Sequence, residues 1–460
     1  MKTAQVNHQI ELFNTFKPLD LTFIKTRFTF VDLFAGIGGF RIPLEELGGK
    51  CLGYSEIDRA AIKVYQNNFI RYANQDEKNL GDIRQIGKLP FDIDLIVGGV
   101  PCQSWSVAGN LQGFKDPRGQ LWFDAIRVVQ ENQPKAFIFE NVRTLISRAH
   151  KSSLNLLIQE FQNLGYIVHV SLLNSYDFGV PQNRERMFLV GIKNDLDKCH
   201  EFRFPQSVTT KPKLIDVLDD IKNSSSVVKS KIKPEILFGD KIPYSRNRFQ
   251  KNDEFNDFFV FCDTRAGHTT IHSWDIIKTS QREKQICYTL LRNRRKKKYG
   301  DKDGNPLSFQ DLSALISELQ PKEVEQLITK NIFRYVPNMG YEFVNSKNSA
   351  GINGVYRVFL PSCDAIPTLT ASGMNDFIAT IHLDGCENPE TYKKMFIQEI
   401  YRKKCYRPIS AQDAKRLQGF PEWFQSHESE STAKHQFGNS VSLPVIYHLA
   451  ESLLKLLQPD

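Results

Sequence analysis

The stretch Thr29-Phe30-Val31-Asp32-Leu33-Phe34-Ala35-Gly36-Ile37-Gly38-Gly39 decides the fold. A short apolar run from Thr29 to Phe34 reads as a buried strand, and the glycines behind it make a turn. A short helix is expected next, with Pro43 tolerated in its first turn because an early helical N–H has no partner anyway. The same rhythm continues outward. Lys50 to Ser55 reads as a second strand, and Asp58 can cap a helix running to about Phe69. Ile93 to Val97 is a third apolar run ending in Gly98-Gly99. A helix from Leu121 to Glu131, a strand from Ala136 to Phe139 and a helix from Ser152 to Leu164 follow. Ile167 to Leu173 and Met187 to Ile192 are further strands. Strand, glycine turn, helix, strand predicts an α/β fold with a doubly wound, mostly parallel sheet.

That rhythm stops near residue 200. Residues 207–260 are rich in Ser, Lys, Asn and Pro, and the chain stays irregular and basic to about 400. Helical periodicity returns from Ile409, and Leu443 to Leu457 is strongly amphipathic. The expected organisation is an N-terminal leader (1–27), a catalytic lobe built from 28–205 and 405–460, and an irregular inserted lobe (206–404).

The 460 residues are 41% hydrophobic and 24% charged, enough apolar material for a core without disulfide or metal staples. No apolar run approaches the roughly 18 residues of a membrane-spanning helix, and the first ten residues lack a signal-peptide core. A cytoplasmic protein that meets no membrane is expected. The eight cysteines include no C-x-x-C pair, which excludes a zinc ribbon or finger and fits a reducing compartment. No metal-ligand cluster is evident. The net charge of +8 is mildly basic, but its distribution is uneven. Between Gln281 and Gly300 stand eight basic residues against one acid, Glu283. Such a run is either a solvated loop or a surface for a polyanion.

Three short segments carry the chemistry. The glycine turn follows a strand and precedes a helix, the setting of a nucleotide-binding turn. Glu56, at the end of the second strand, is placed to bind ribose hydroxyls. Gly39 and Arg41 break the G-x-G-x-x-G spacing, which points from a dinucleotide toward a smaller adenosine cofactor. The second segment, VGGVPCQSWSVAG (Val97 to Gly109), lies past the carboxyl end of a strand, where open α/β sheets hold ligands. Cys102 there is flanked by Pro101, Gln103, Ser104 and Ser106, which is not a core setting. A thiol needs activation to become a nucleophile, and no histidine stands near it in sequence. The third is FIFENV (Phe137 to Val142), which ends a strand with Glu140. A carboxyl in a dry pocket holds its proton to higher pH and can donate it near neutrality.

These segments, in this order, closely resemble the DNA (cytosine-5)-methyltransferase family. GDI (Gly81 to Ile83), QNRER (Gln182 to Arg186), RPISAQDAKRLQGFP (Arg407 to Pro421) and QFGNSVSLPV (Gln436 to Val445) extend the likeness over about 30–200 and 405–455. The resemblance implies an S-adenosylmethionine-dependent methyltransferase fold with an inserted target-recognition domain. It implies that Phe34 stacks on the adenine and that Gly36 and Gly38 admit the methionine moiety. Glu56 would hold the ribose, Asp82 the adenine amino group, and Ile57 would take an adenine-contacting place that is often aromatic. Pro101 would border the cofactor, and Asn439 and Val441 would close its pocket.

It further implies that Cys102 attacks carbon 6 of cytosine, that Glu140 acts at ring nitrogen 3, and that Arg184 and Arg186 hold the cytosine carbonyl. The target base must be flipped out of duplex DNA to be reached. Ser106 and the segment Thr368, Leu369 and Thr370 are then expected against DNA. Arg357 is a candidate for reading guanine, and Arg292, Arg294, Arg295, Lys296, Lys297 and Lys298 for phosphate contacts. The compact motif order resembles a prokaryotic restriction–modification enzyme acting as a monomer, with an endonuclease as genetic partner. Rival readings are a tRNA cytosine methyltransferase, a non-catalytic DNA-binding relative, and an NAD-dependent dehydrogenase.

Overall fold

The computed structural model describes residues 26–70, 77–101, 119–197, 199–209, 211–218, 259–261, 271–302, 304–344, 357–361, 363–371, 376–383 and 389–457. Nearly all of the 1–27 leader, most of 207–260, and both Cys102 and Ser106 lie outside the described residues.

The chain divides into two compact units. The first comprises 1–213, 365–373 and 410–460. Its centre is a seven-stranded sheet made of β1 (Phe28–Leu33), β2 (Gly49–Ser55), β3 (Lys78–Asn79), β4 (Leu95–Gly99), β5 (Ala136–Val142), β6 (Tyr166–Asn174) and β8 (Glu185–Lys193), with β7 (Gln182–Asn183) standing apart. The strand order is β3-β2-β1-β4-β5-β8-β6. β8 runs antiparallel to both β5 and β6, and the pairs β3–β2, β2–β1, β1–β4 and β4–β5 are parallel. The mostly parallel, doubly wound sheet expected from the strand rhythm is therefore present. The order reverses between β1 and β4, and the crevice at the carboxyl ends there is where such sheets bind ligands.

Each face of the sheet buries its own core. Phe28, Phe30, Val97, Ile138 and Val190 face one side, against the helix Leu443–Leu457. Val31, Leu33, Ile96, Phe137 and Phe139 face the other, against the helices Leu121–Asn132 and Lys151–Asn163. Alternate residues of one strand serve opposite cores, so parallel strands read as continuous apolar runs. The Phe137 ring packs on Phe161 at 4.3 Å between centroids. A Cβ on Gly191 would stand 2.1 Å from that ring, so the neighbouring strand carries a glycine at this crossing.

The helices begin and end as the residues dictate. Asp58 caps Arg59–Phe69 by accepting the Ala60 N–H at 2.7 Å and the Ala61 N–H at 3.2 Å. The C-terminal stretch 430–457 is long and apolar enough, by composition, to cross a membrane. It is broken at Ser440, whose backbone is extended, into Glu430–Asn439 and Leu443–Leu457. The apolar side of the second helix (Val445, Ile446, Leu449, Leu453) lies in the first core.

The second unit comprises 214–364 and 374–409. The segment 365–373, which the sequence reading put in the inserted lobe, groups instead with the first unit. The second unit contains a four-stranded sheet in the order β15-β14-β12-β9, from β9 (Phe259–Phe261), β12 (Arg357–Phe359), β14 (Asp376–Ala379) and β15 (Tyr406–Pro408). It also has a helical part with its own core, around Trp274, Leu290, Leu312, Val324 and Phe333. Its helices Gln281–Asn293, Phe309–Leu315 and Pro321–Thr329 precede the hairpin of β10 (Phe333–Val336) and β11 (Gly340–Phe343).

Candidate active site

The glycine turn leaves β1 through Phe34, which takes a left-handed backbone (φ +56°) despite its bulky side chain. Such a conformation costs on the order of 1–3 kcal/mol and persists where the surroundings impose it. The impositions are visible. The Ala35 N–H donates to the Ser55 carbonyl at 2.9 Å, and the Gly36 N–H donates to Glu56 Oε2 at 2.8 Å. Oε1 of the same carboxylate accepts the Ile57 and Asp58 N–H groups, both at 2.8 Å. Glu56 thus fastens the turn to the end of β2.

The two positive-φ glycines of the turn differ in what surrounds them. A Cβ on Gly36 (φ +56°) would meet no atom of the described residues within 4 Å. On Gly38 (φ +88°) it would stand 2.3 Å from the Phe69 ring. The lack of a side chain at Gly38 therefore makes room for the Phe69 ring. Arg41 also lies over this ring, its guanidinium carbon 4.6 Å from the Phe69 centroid, and pairs with Glu45 at 2.8 Å.

The GDI loop is tied to the same end of β2, the Ser55 hydroxyl donating to the Gly81 carbonyl at 2.6 Å. Asn79 accepts the Gly81 N–H at 2.9 Å and donates to the Glu56 carbonyl at 3.0 Å, so one amide ties the loop to β2. A Cβ on Gly81 (φ +74°) would likewise meet no atom of the described residues within 4 Å. The Arg84 side chain bonds Asp82 and holds its carboxyl below the usual carboxylate range, so Asp82 is an ionised acceptor. Ile57 is 66% exposed, high for a large aliphatic residue. Neither oxygen of fully buried Asp32 meets a hydrogen-bond partner among the described residues. Burial raises its carboxyl well above the usual range. Sequence reasoning missed Asn79 and Asp32; an Asn two residues before a glycine turn was the available signal for the first.

At the end of β5, Glu140 pairs in register with Gly99 of β4, and a Cβ there would lie 3.6 Å from Glu140 Oε2. Arg186, at the start of antiparallel β8, donates from Nε to Glu140 Oε1 at 2.8 Å. Burial raises the Glu140 carboxyl, and Arg186 and Arg184 pull it back without cancelling that rise. The site thus holds a carboxyl that binds a proton more readily than an exposed one, beside a fixed guanidinium. Asn141, next to it, donates from Nδ2 to the Val100 carbonyl at 3.1 Å. Val100 and Pro101 are the last described residues before Cys102, so Asn141 fixes the chain that leads to the thiol.

Arg184 has a different task from the cytosine contact expected of it. It is 2% exposed and donates to the carbonyls of Leu369 (2.9 Å), Gly438 (3.0 Å) and Ser440 (2.7 Å). Gln182 beside it accepts the Leu369 N–H at 3.0 Å and donates to the Leu417 carbonyl at 2.7 Å. β7 pairs in parallel with β13 (Ile366–Pro367). Within the TLT segment, the Thr368 hydroxyl donates to the Asn183 carbonyl at 2.9 Å and Leu369 is buried, while Thr370 is exposed. Asn439 is exposed, and Val441 is buried in the first core. A Cβ on Gly39 would clash with Ser440 Oγ at 2.5 Å and Val441 Cγ2 at 2.9 Å, so the C-terminal segment lies directly on the glycine turn.

In the second unit, Arg357 meets Asp376 across the β12–β14 pair in a two-pronged bridge, Nε–Oδ1 2.7 Å and Nη2–Oδ2 2.6 Å. That fork is the one a guanine edge would use, so the structure gives the expected base reader a sheet-bracing task. In the basic run Arg294 is buried, with its guanidinium 5.7 Å from the Phe343 ring centroid. Arg292, Arg295, Lys296, Lys297 and Lys298 are exposed. Asn305 donates to the carbonyls of Arg294, Gly300 and Lys302, all within 3.1 Å, and so pins the loop that follows the run.

A mostly parallel sheet whose reversal point carries this turn, and whose β5 holds a proton-binding carboxyl near its end, is the architecture of adenosine-cofactor α/β enzymes. The model of the C-5 cytosine-specific DNA methylases matches residues 28–455, so the chain belongs to that family and is a DNA cytosine-5 methyltransferase. It is 48% identical over 436 residues to the type II methyltransferase M.HgiBI of Herpetosiphon aurantiacus, covering 94% of this chain and 99% of that one. It is 33% identical over 451 residues to the type II methyltransferase M.BanI of Aneurinibacillus aneurinilyticus, covering 93% and 95%. The solved structure of the Entamoeba histolytica methyltransferase EhMeth shares the fold at a TM-score of 0.51 and 14% identity, covering 94% of this chain and 100% of that one.

Proposed function

We propose that this enzyme methylates carbon 5 of a cytosine flipped out of a particular duplex sequence, through a covalent Cys102 adduct, as the modification half of a restriction–modification system. The Glu140–Arg186 pair beside the segment leading to Cys102 carries this reading. Carbon 5 of cytosine is a poor nucleophile. Bonding of the Cys102 sulfur to carbon 6 pushes the ring electrons toward carbon 5 and nitrogen 3. Glu140 supplies a proton at nitrogen 3, and Arg186 holds Glu140 in place and offers positive charge to the ring carbonyl. Once carbon 5 is methylated, loss of its proton returns the electron pair to the ring and expels the Cys102 thiolate.

S-adenosylmethionine dependence defines the family, and the residues present suit that cofactor. Gly36 and Gly81 have no described neighbour where a side chain would stand, ionised Asp82 can accept from an amino group, and exposed Ile57 offers an apolar surface. Phe34, Pro101 and Asn439 would complete the pocket. When bound, the cofactor supplies an electrophilic methyl group. Gly36→Asn tests the placement, because Asn tolerates the left-handed backbone and adds a side chain there. It should weaken S-adenosylhomocysteine binding by roughly tenfold or more, about 1.4 kcal/mol, with little change in melting temperature. Gly38→Val should do the reverse, costing about 1–3 kcal/mol of stability through the clash with Phe69. Calorimetric titration beside thermal melts separates the two.

The five exposed cations from Arg292 to Lys298 suit a phosphate backbone. Replacing Lys296, Lys297 and Lys298 by Gln should weaken binding to all duplexes and flatten the log–log salt dependence by about one unit per lost contact. An unaltered slope returns the run to plain solvation. Bisulfite sequencing of DNA from cells expressing the chain tests the function as a whole. Conversion-resistant cytosines should appear at one recurrent sequence; uniform conversion everywhere would remove the proposed activity.

A further inference from the structure

We propose that Arg184 is a positioning residue that couples occupation of the cofactor pocket to the placement of the 365–371 segment, an inference that rests on the cofactor reading above. One buried, planar guanidinium bonds two segments that are distant in sequence. Nη1 holds the Leu369 carbonyl, and Nη2 holds the carbonyls on either side of Asn439, those of Gly438 and Ser440. The second segment touches the glycine turn, since a Cβ on Gly39 would strike Ser440 and Val441. It also touches the first directly, since a Cβ on Gly438 would stand 2.6 Å from the Thr370 carbonyl carbon. A ligand that orders Asn439 therefore orders both carbonyls beside it. The rigid fork then conveys that order to Leu369, and through it to exposed Thr370.

The geometry also explains why arginine stands here. A lysine ammonium is a point donor on a flexible stem and cannot span carbonyls of two segments in a fixed plane. The amides that report the coupling are already engaged. The Leu369 N–H donates to Gln182 Oε1, the Ile366 N–H to the Pro181 carbonyl, and the Ser440 N–H to the Gln436 carbonyl. Their exchange with solvent measures local opening of each segment.

The test is hydrogen–deuterium exchange of the full chain, with and without S-adenosylhomocysteine, read on peptides covering 365–371 and 436–441. In the wild type the ligand should slow exchange in both segments, by about fivefold or more. In Arg184→Lys protection should persist at 436–441 and vanish at 365–371. A residue that merely supports the fold would lower protection in both by the same factor. Equal protection of both segments in Arg184→Lys overturns the proposal, as does wild-type protection confined to 436–441. No protection anywhere in the wild type removes the cofactor reading and the coupling together. Gly438→Ala is a second test that leaves the buried charge in place. Its methyl should speed exchange at 365–371 without ligand, and an unchanged rate there shows that the segments are mechanically independent and overturns the coupling.

Discussion

Glu140→Gln should lower the rate of methyl transfer to DNA by about 10²–10⁴-fold, the usual worth of a positioned acid, while leaving S-adenosylhomocysteine affinity unchanged. The geometry sets both halves of that expectation. The carboxyl is buried at the end of β5, and Arg186 fixes its orientation through one oxygen. Gln keeps the shape and an acceptor for Arg186 but has no proton of the right acidity to give. The cofactor-side residues Gly36, Glu56 and Gly81 make their own contacts and do not depend on it. The pH profile adds a sign. Burial raises the Glu140 carboxyl, so its protonated form is present below that raised value and is lost as pH rises through it. The wild-type rate should therefore fall on the alkaline side for this reason, while the acidic side follows ionisation of the thiol. Glu140→Gln should keep the acidic limb and lose the alkaline fall. Incorporation of labelled methyl groups across pH measures both.

A larger loss is expected from Cys102→Ser, on the order of 10⁴-fold or more, as for other enzymes stripped of their nucleophile. A serine hydroxyl is far less ionised at neutral pH than a thiol, so the bond to carbon 6 does not form at a useful rate. The substitution is nearly isosteric, so cofactor and DNA binding should remain. Val100, held by Asn141, keeps the approach to position 102 in place in either case. Single-turnover assays with saturating enzyme separate this chemical defect from any loss of affinity.

Much of this was legible in the residues because the relevant signals are local. β1, β2, β4 and β5 are short apolar runs bounded by glycine or a charged residue, and Asp58 announces its helix. Glu56 and Glu140 stand at strand ends, where a parallel sheet collects its chemistry. What stayed hidden was decided by contacts across long separations. Gly36 and Gly38 look alike in sequence, yet Phe69, 31 residues on, stands where a side chain of the second would go, and no described residue does so for the first. In a regular strand Arg184 and Arg186 would share a face. The break between β7 and β8 falls at Arg184, which bonds backbone carbonyls at 369, 438 and 440 while Arg186 bonds Glu140. Arg357 and Arg294 are basic residues in a basic region. Asp376 across a strand pair engages the first, and packing against Phe343 buries the second. The same long-range pairing, β7 with β13, explains why 365–373 joins the first unit, although composition grouped it with the insertion.

The central claim is a covalent bond between Cys102 and the target cytosine, and trapping that bond tests it most directly. Resolution of the adduct requires loss of the proton at carbon 5, and a fluorine in its place cannot leave as a cation. Duplex DNA in which every cytosine is replaced by 5-fluorocytosine presents the target whatever its sequence context. Incubated with the enzyme and S-adenosylmethionine, it should yield a denaturation-resistant protein–DNA species, and peptide mapping should locate the link at Cys102. Cys102→Ser should yield none. A cross-link that persists in Cys102→Ser, or that maps to any of the other seven cysteines, would contradict the account.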